Sequence, residues 1–159
     1  MSFLDFLFPP ALGEAEIRVV SPPGQTLSVS FIVKTLAITK RNEFASVNIP
    51  GLNGQPLQFI HGGSRTLAVV LSFDGRATST DVRQPMTRVT ELMRVDSSTH
   101  APPVLSFVWR GESLQCVLES AVEEFRSLFP DGRPSRGRLR VVFRESRSVE
   151  QLLQEAALQ

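Results

Sequence analysis

At 159 residues and a net charge of +1, the chain is sized for a single domain, one large enough to bury roughly two-thirds of its unfolded surface. Hydrophobic residues make up 42% and charged residues 21%, an ordinary composition for a folded soluble protein, and the near-neutral balance gives no sequence-wide electrostatic case for binding nucleic acid or a membrane. One cysteine, Cys116, excludes an internal disulfide and a cysteine-based zinc cluster.

Residues 1–15 read as an arm. Phe3, Leu4, Phe6, Leu7 and Phe8 form an apolar patch, interrupted by Asp5 and ended by Pro9-Pro10. The patch lacks a basic leader and is far too short to span a bilayer. An exposed patch of this kind costs solubility, so it either folds back onto the domain or docks on a partner. Glu16–Val20 is a short strand candidate, followed by a turn at Ser21-Pro22-Pro23-Gly24. Thr26–Thr39 alternates, with Leu27, Val29, Phe31 and Val33 on one side, and period two argues for a strand.

Lys40–Ser64 reads as one long ordered loop. Gly51, Gly54, Gly62 and Gly63 are costly in a helix, and Pro50 and Pro56 remove donors. Yet Ile49, Leu52, Leu57, Phe59 and Ile60 make it too apolar for a solvated linker, so it is expected to pack on something, including a neighbouring subunit. Arg65–Phe73 is a strand with Leu67, Val69, Leu71 and Phe73 on one face.

Asp81–Arg94 is the one clear internal helix. Val82, Met86, Val89 and Met93 recur at helical spacing, widened by Leu92. Asp81 is the expected N-cap, and Pro85 lies in the first turn, where its missing N–H costs nothing. At this length the helix must pack on the sheet. Val104–Trp109 is a strand, Arg110-Gly111-Glu112 a tight connection, and Ser113–Phe129 a long strand with Leu114, Cys116 and Leu118 inward. Cys116 is expected to serve as a small buried hydrophobe. Phe129-Pro130-Asp131-Gly132 is a turn, and Arg136–Arg144 returns with Leu139, Val141 and Phe143 inward. Ser148–Ala157 turns helical behind a capping Ser148. Five to seven strands joined by hairpins, with one helix, favour a mainly β domain. The sheet would be antiparallel and closed into a barrel or rolled sandwich, with the helix over one opening.

Chemistry is sparse. His61 and His100 lie in expected turns, no nucleophile elbow occurs, and no phosphate-binding glycine loop with its lysine is present. Glu123 and Glu124 are neighbours in a strand and point to opposite faces. No catalytic residue, cofactor or metal is therefore assigned. The cations are notable in kind: only Lys34 and Lys40 are lysines, the rest arginines. Arg136, Arg138 and Arg140 share one strand face, at roughly 6–7 Å spacing. Such a row fits a carboxylate row on a neighbour, the lumen of a tube, or a solvated face.

Several motifs run in a consistent order. They are Ile49-Pro50-Gly51-Leu52-Asn53-Gly54-Gln55-Pro56-Leu57-Gln58-Phe59, Gly62-Gly63, Arg65-Thr66-Leu67, Phe73-Asp74, Asp81-Val82-Arg83, His100-Ala101-Pro102-Pro103-Val104-Leu105, Trp109, Leu118-Glu119-Ser120, Phe129-Pro130-Asp131-Gly132 and Phe143-Arg144-Glu145. In order and spacing, from about Val29 to Arg147, the chain resembles the contractile injection system tube-protein family.

The resemblance implies a tube-type β-barrel over residues 16–147 and a helical tail or linker over 148–159. The LysM module that many members carry would be absent. It implies a structural subunit: a baseplate or tube-initiator ring, expected to be hexameric, joining the spike-hub complex to the inner tube. The partners would be sister copies, spike or hub protein, inner tube proteins and other baseplate proteins. Assembly would be cytoplasmic, and the product would be a phage-tail-like particle, extracellular or cell-bound. Alternatives are an inner-tube shaft subunit and a peptidoglycan-associated binding module. The expected contact residues are Phe3, Phe6 and Phe8 in the arm, Ile49, Leu52, Leu57, Phe59 and Arg65 in and beside the loop, and Phe129, Asp131, Arg133, Arg136, Arg138 and Arg140 in the last hairpin.

Overall fold

A computed structural model describes residues 13–23 and 28–158, with the backbone alone for residues 28–31. The expectations for residues 1–12, including contacts by Phe3, Phe6 and Phe8, lie outside the described residues. So do the inward positions expected for Leu27, Val29 and Phe31.

The chain runs through β1 (Glu14–Ser21), β2 (Ser28–Thr39), β3 (Asn42–Ser46), β4 (Leu57–Gly62), β5 (Thr66–Asp74), helix α1 (Arg83–Thr90), β6 (Val104–Trp109), β7 (Glu112–Leu128), β8 (Pro134–Glu145) and helix α2 (Val149–Ala157). A 3-10 turn, Glu91–Met93, extends α1. Six strands close into a barrel in the order β1-β2-β5-β8-β7-β6, and every pairing is antiparallel. The barrel expected from the hairpin pattern is the one observed.

Alternation along the strands makes the core. Ile17, Val33, Val69, Leu71, Leu105, Leu139, Val141 and Phe143 are all buried inside, and Phe143 packs on Phe107 with ring centroids 5.3 Å apart. Each such side chain contributes about 1.5–3 kcal/mol on burial. Cys116 is fully buried among them, and burial pushes its thiol up to about 12, so it is a packing residue. The two-residue connection at Arg110-Gly111 takes positive φ at both positions, 49° and 80°, as a tight hairpin turn requires.

Helix α1 plugs one end of the barrel with Val82, Met86, Val89 and Leu92. It sits so close to β8 that a Cβ added at Gly137 would lie 2.5 Å from Met86 Sδ. Two details differ from the sequence reading. Met93 is 36% exposed, because the last turn tightens to 3-10 geometry and rotates it off the stripe. Asp81 stands one residue before the N-cap position, which Val82 occupies. The Asp81 carboxylate still accepts from the Arg83 N–H at 2.9 Å and from the Arg83 guanidinium at 2.6 Å.

The larger correction concerns Lys40–Ser64. It is not a loop but a second, two-stranded sheet, β3 paired with β4. His61, expected in a turn, is therefore a β4 residue opposite Glu43.

Candidate assembly surfaces

The β3–β4 hairpin is an arm that leaves the barrel between β2 and β5. Its base is closed by the Gly63 N–H donating to the Arg41 carbonyl at 2.8 Å, and its outer end by the Val47 N–H donating to the Pro56 carbonyl at 2.9 Å. At the tip the chain reverses through Gly51 at φ +89°, a backbone shape that glycine adopts without strain. Phe44 and Phe59 face each other across the pair, edge to face at 5.7 Å, and Leu57 follows on the same face. His61 Nε2 lies 2.9 Å from a Glu43 carboxylate oxygen. Residues 47–60 carry no charged side chain. Nevertheless Ile49, Leu52, Leu57, Phe59 and Ile60 are all about half exposed or more, Leu57 most at 66%. So many exposed apolar side chains in one uncharged segment are unusual for ordinary solvated surface.

Two barrel strands also present unpaired edges among the described residues. Strand β7 pairs with β6 only over Glu112–Cys116, then with β8 as far as Leu128. From Val117 onward its other edge meets no strand. Strand β2 pairs with β1 over Ser28–Ile32, then with β5 to Thr39, leaving Lys34–Thr39 open on the β1 side. An open edge of this length is a template for another strand. Val122, Phe125 and Leu128 are exposed along β7.

Arg136, Arg138 and Arg140 do share the outer face of β8. Arg140 Nε lies 3.3 Å from Glu124, which also accepts from Arg126 at 3.1 Å, and Arg144 binds Glu119 at 2.7 Å. Arg138 stands opposite Glu124 and Ser72, and Arg136 opposite Asp74. The Arg76 guanidinium and backbone N–H, helped by the nearby Arg136, hold the Asp74 carboxyl at about 2. Carboxylates of the same chain thus interleave with the row and offset much of its self-repulsion. At the β7–β8 turn, Arg133 bonds Asp131 at 2.6 Å, lies over the Phe129 ring at 5.0 Å, and donates to the Ser79 carbonyl at 3.3 Å. The turn is therefore folded beside the loop that carries α1.

Arg65 is used within the chain. Its Nε and Nη2 donate to one Glu145 oxygen at 3.1 and 2.8 Å, and its backbone N–H donates to the other at 2.9 Å. Arg147 Nη2 adds a bond to Glu145 at 3.1 Å, while Arg147 Nη1 reaches Glu155 of α2 at 2.5 Å. Burial, the largest single influence, pushes the Glu145 carboxyl up. The guanidinium and N–H donors together outweigh it and hold the group at about 2. Sequence reasoning missed this centre, although the parity that turns Phe143 inward turns Glu145 inward too.

Helix α2 is anchored by that link and by a capping box between Ser148 and Gln151. Its Val149, Leu152 and Leu153 remain exposed. No described helix is long and apolar enough to cross a membrane, and no described group of three or more His, Cys, Asp or Glu could hold a metal ion.

Comparison with known proteins fixes the family. The model for contractile injection system tube proteins matches residues 16–154. The chain belongs to that family. It is thus a structural component of a contractile injection system. Among solved structures, the crystal structure of Dit (gp 19.1) of phage SPP1, a hub protein of the adsorption apparatus in phages infecting Gram-positive hosts, aligns at a TM-score of 0.55 and 16% identity. The alignment covers 83% of this tube-family chain and 49% of Dit, so the chain spans about half of that protein; at this identity the likeness is one of fold. The anti-feeding prophage baseplate, solved by cryo-EM with 6-fold symmetrisation, aligns over 87% of this chain and 93% of its own, at a TM-score of 0.38 and 11% identity. No curated protein matches the sequence.

Proposed function

We propose that the chain forms a homo-oligomeric ring at the base of the injection tube. There it would act as a tube initiator between the spike-hub complex and the first tube ring. The observation that carries this reading is the pair of open edges, β7 from Val117 and β2 from Lys34, on one closed barrel. Edges on two strands let each copy give and receive a strand, which is the head-to-tail contact that closes a ring. Family membership supports a tube-type ring, for which six copies are expected.

The arm contributes the second contact. Its tip and flanks, with Ile49, Leu52, Leu57 and Phe59, would lie against a neighbour, while the Phe129–Arg133 turn and the Arg136–Arg138–Arg140 face would meet the next ring or the lumen. A ring that withstands contraction needs an obligate-size interface, about 2,000 Å² or more in total. The ring would assemble in the cytoplasm and end in a phage-tail-like particle alongside hub, tube and other baseplate proteins. Its work is templating, with no catalytic step.

Sedimentation velocity and negative-stain imaging of the purified chain test the reading. Discrete single rings are expected. Open-ended stacks of rings would make the chain a shaft subunit, and a monomer at all concentrations that joins no tail particle would end the proposal.

A further inference from the structure

The end of the barrel opposite α1 has no plug among the described residues. Its inward-facing positions are Leu36, Ile38, Leu67, Phe107, Trp109 and Leu114, which line a shallow apolar cleft of about 60 Å³. In a fully closed core these would be buried, yet Ile38 is 56% exposed and Leu36, Trp109 and Leu114 are only partly covered. The rim carries Arg65, Glu112 and Arg110, with Arg110 over the Trp109 ring at 5.6 Å.

The described chain begins at this rim. Ala15 pairs with Trp109, and a Cβ on Gly13 would lie 3.9 Å from Arg110 Nε. Immediately upstream stand Pro9-Pro10 and then Phe8, Leu7, Phe6, Asp5, Leu4 and Phe3. Continuing β1 backwards would pair it with the open edge of β2. Two consecutive prolines lack the donors that ladder needs, so the sequence does not favour extending it.

We propose that the open mouth is the seat of the N-terminal segment of the same chain, with one phenylalanine of residues 3–8 inserted beside Trp109 and the others laid over Ile38. Reach favours the chain's own segment. The five residues from Gly13 to Phe8 span up to roughly 17 Å, and a six-stranded barrel mouth is about 12 Å across. The cleft volume admits one ring edge, so the remaining apolar side chains cover the rim. Asp5 is the one charge in residues 2–12 and complements Arg65 and Arg110. The seat is an intrachain contact, separate from ring closure through strand edges.

Trp109 is the only tryptophan, so it reports on the mouth directly. In the full-length chain carrying Phe3→Ser, Phe6→Ser and Phe8→Ser, Trp109 emission should shift to the red. Its acrylamide quenching constant should rise about two-fold, as the ring loses its apolar cover, with the far-UV circular dichroism unchanged. Unchanged emission and quenching would overturn the proposal. If the variant misfolds, a second measurement decides. Phe8→Cys with Ile38→Cys, and Phe6→Cys with Ile38→Cys, are oxidised at low protein concentration, Cys116 being buried and out of reach. An intrachain disulfide in either pair supports the seat. Disulfide-linked dimers, or no disulfide in both pairs, overturn it. Neither readout depends on ring formation, so a protein that forms no ring can still pass both tests.

Discussion

Replacing Leu52, Leu57 and Ile60 together, as L52S, L57T and I60T, tests whether the arm is an assembly element. These residues are 58%, 66% and 51% exposed in the single chain, so they contribute little to its own fold. Full burial of such a side chain stabilises by about 1.5–3 kcal/mol, so covering the part still exposed is worth about 1–2 kcal/mol each. Three residues then supply about 3–6 kcal/mol per contact. Every 1.4 kcal/mol being tenfold, association should weaken by at least about 100-fold. Threonine keeps the strand preference of positions 57 and 60, and the Phe44–Phe59 pair that steadies the hairpin is untouched. The variant should melt within a few degrees of the parent, because exposed substitutions of this kind shift stability by about 0.5 kcal/mol or less each. The assay is sedimentation velocity across a concentration series, with the melt as the folding control. A variant that associates as tightly as the parent would refute the reasoning, since the arm would then be bare surface in the assembly.

Three further outcomes follow from the barrel itself. Glu145→Gln should lower stability by about 2 kcal/mol by urea unfolding, because it weakens several charge-assisted bonds at a buried position. The same group sets a pH effect: its folded value is about 2 against an ordinary 4.5, so the unfolded chain takes up the proton first. Its contribution is complete above 4.5 and is lost as pH falls towards 2; the decline of stability over that window should be shallower in Glu145→Gln. Gly75→Ala should destabilise by about 1–3 kcal/mol, since its Cβ would lie 2.0 Å from the Thr80 carbonyl oxygen, backbone that cannot swing aside; a thermal melt checks it. Cys116 should resist a thiol reagent until denaturant is added, and rapid stoichiometric labelling of the folded chain would contradict its burial and its thiol held near 12.

The barrel was legible in the sequence because burial on one side imposes period two: Leu67, Val69 and Leu71 in β5 and Leu139, Val141 and Phe143 in β8 alternate as they pack. Helix α1 was legible for the matching reason at its own period, down to Val82, Met86, Val89 and Leu92. The β3–β4 arm was not. Its strands are solvated on both faces in the single chain, so no alternation marks them, and Gly51, Gly54, Gly62 and Gly63 argue against a strand locally. What could be read there was the surplus of apolar residues, which is the property that survives as an exposed surface. Arg65 was legible as a residue of interest, but its partner was not, because Glu145 lies 80 positions away and only the antiparallel register of β5 on β8 brings the two together.

The two ends of the barrel are finished differently, and the difference bears on how the arm can act. At the α1 end, apolar packing seals the core. At the other end, one step past the last paired residues of β5 and β8, the Glu145 N–H donates to the Arg65 carbonyl at 2.9 Å, and the Arg65 N–H and guanidinium both donate to the Glu145 carboxylate. Arg65 lies directly after the arm, and Glu145 directly before the segment leading to α2. A half-buried ion pair is weak evidence for stability, because desolvation of the carboxylate offsets much of the attraction, but its directional bonds fix geometry. Pull on the arm is therefore resisted at Arg65 by bonds that hold angle as well as distance, and it passes to β8 and, through Arg147 and Glu155, to α2. Apolar packing at this position would let the arm swivel. On the proposed function, in which the arm meets a neighbour at one angle in every copy of a ring, this directional link at the arm's root would hold that angle.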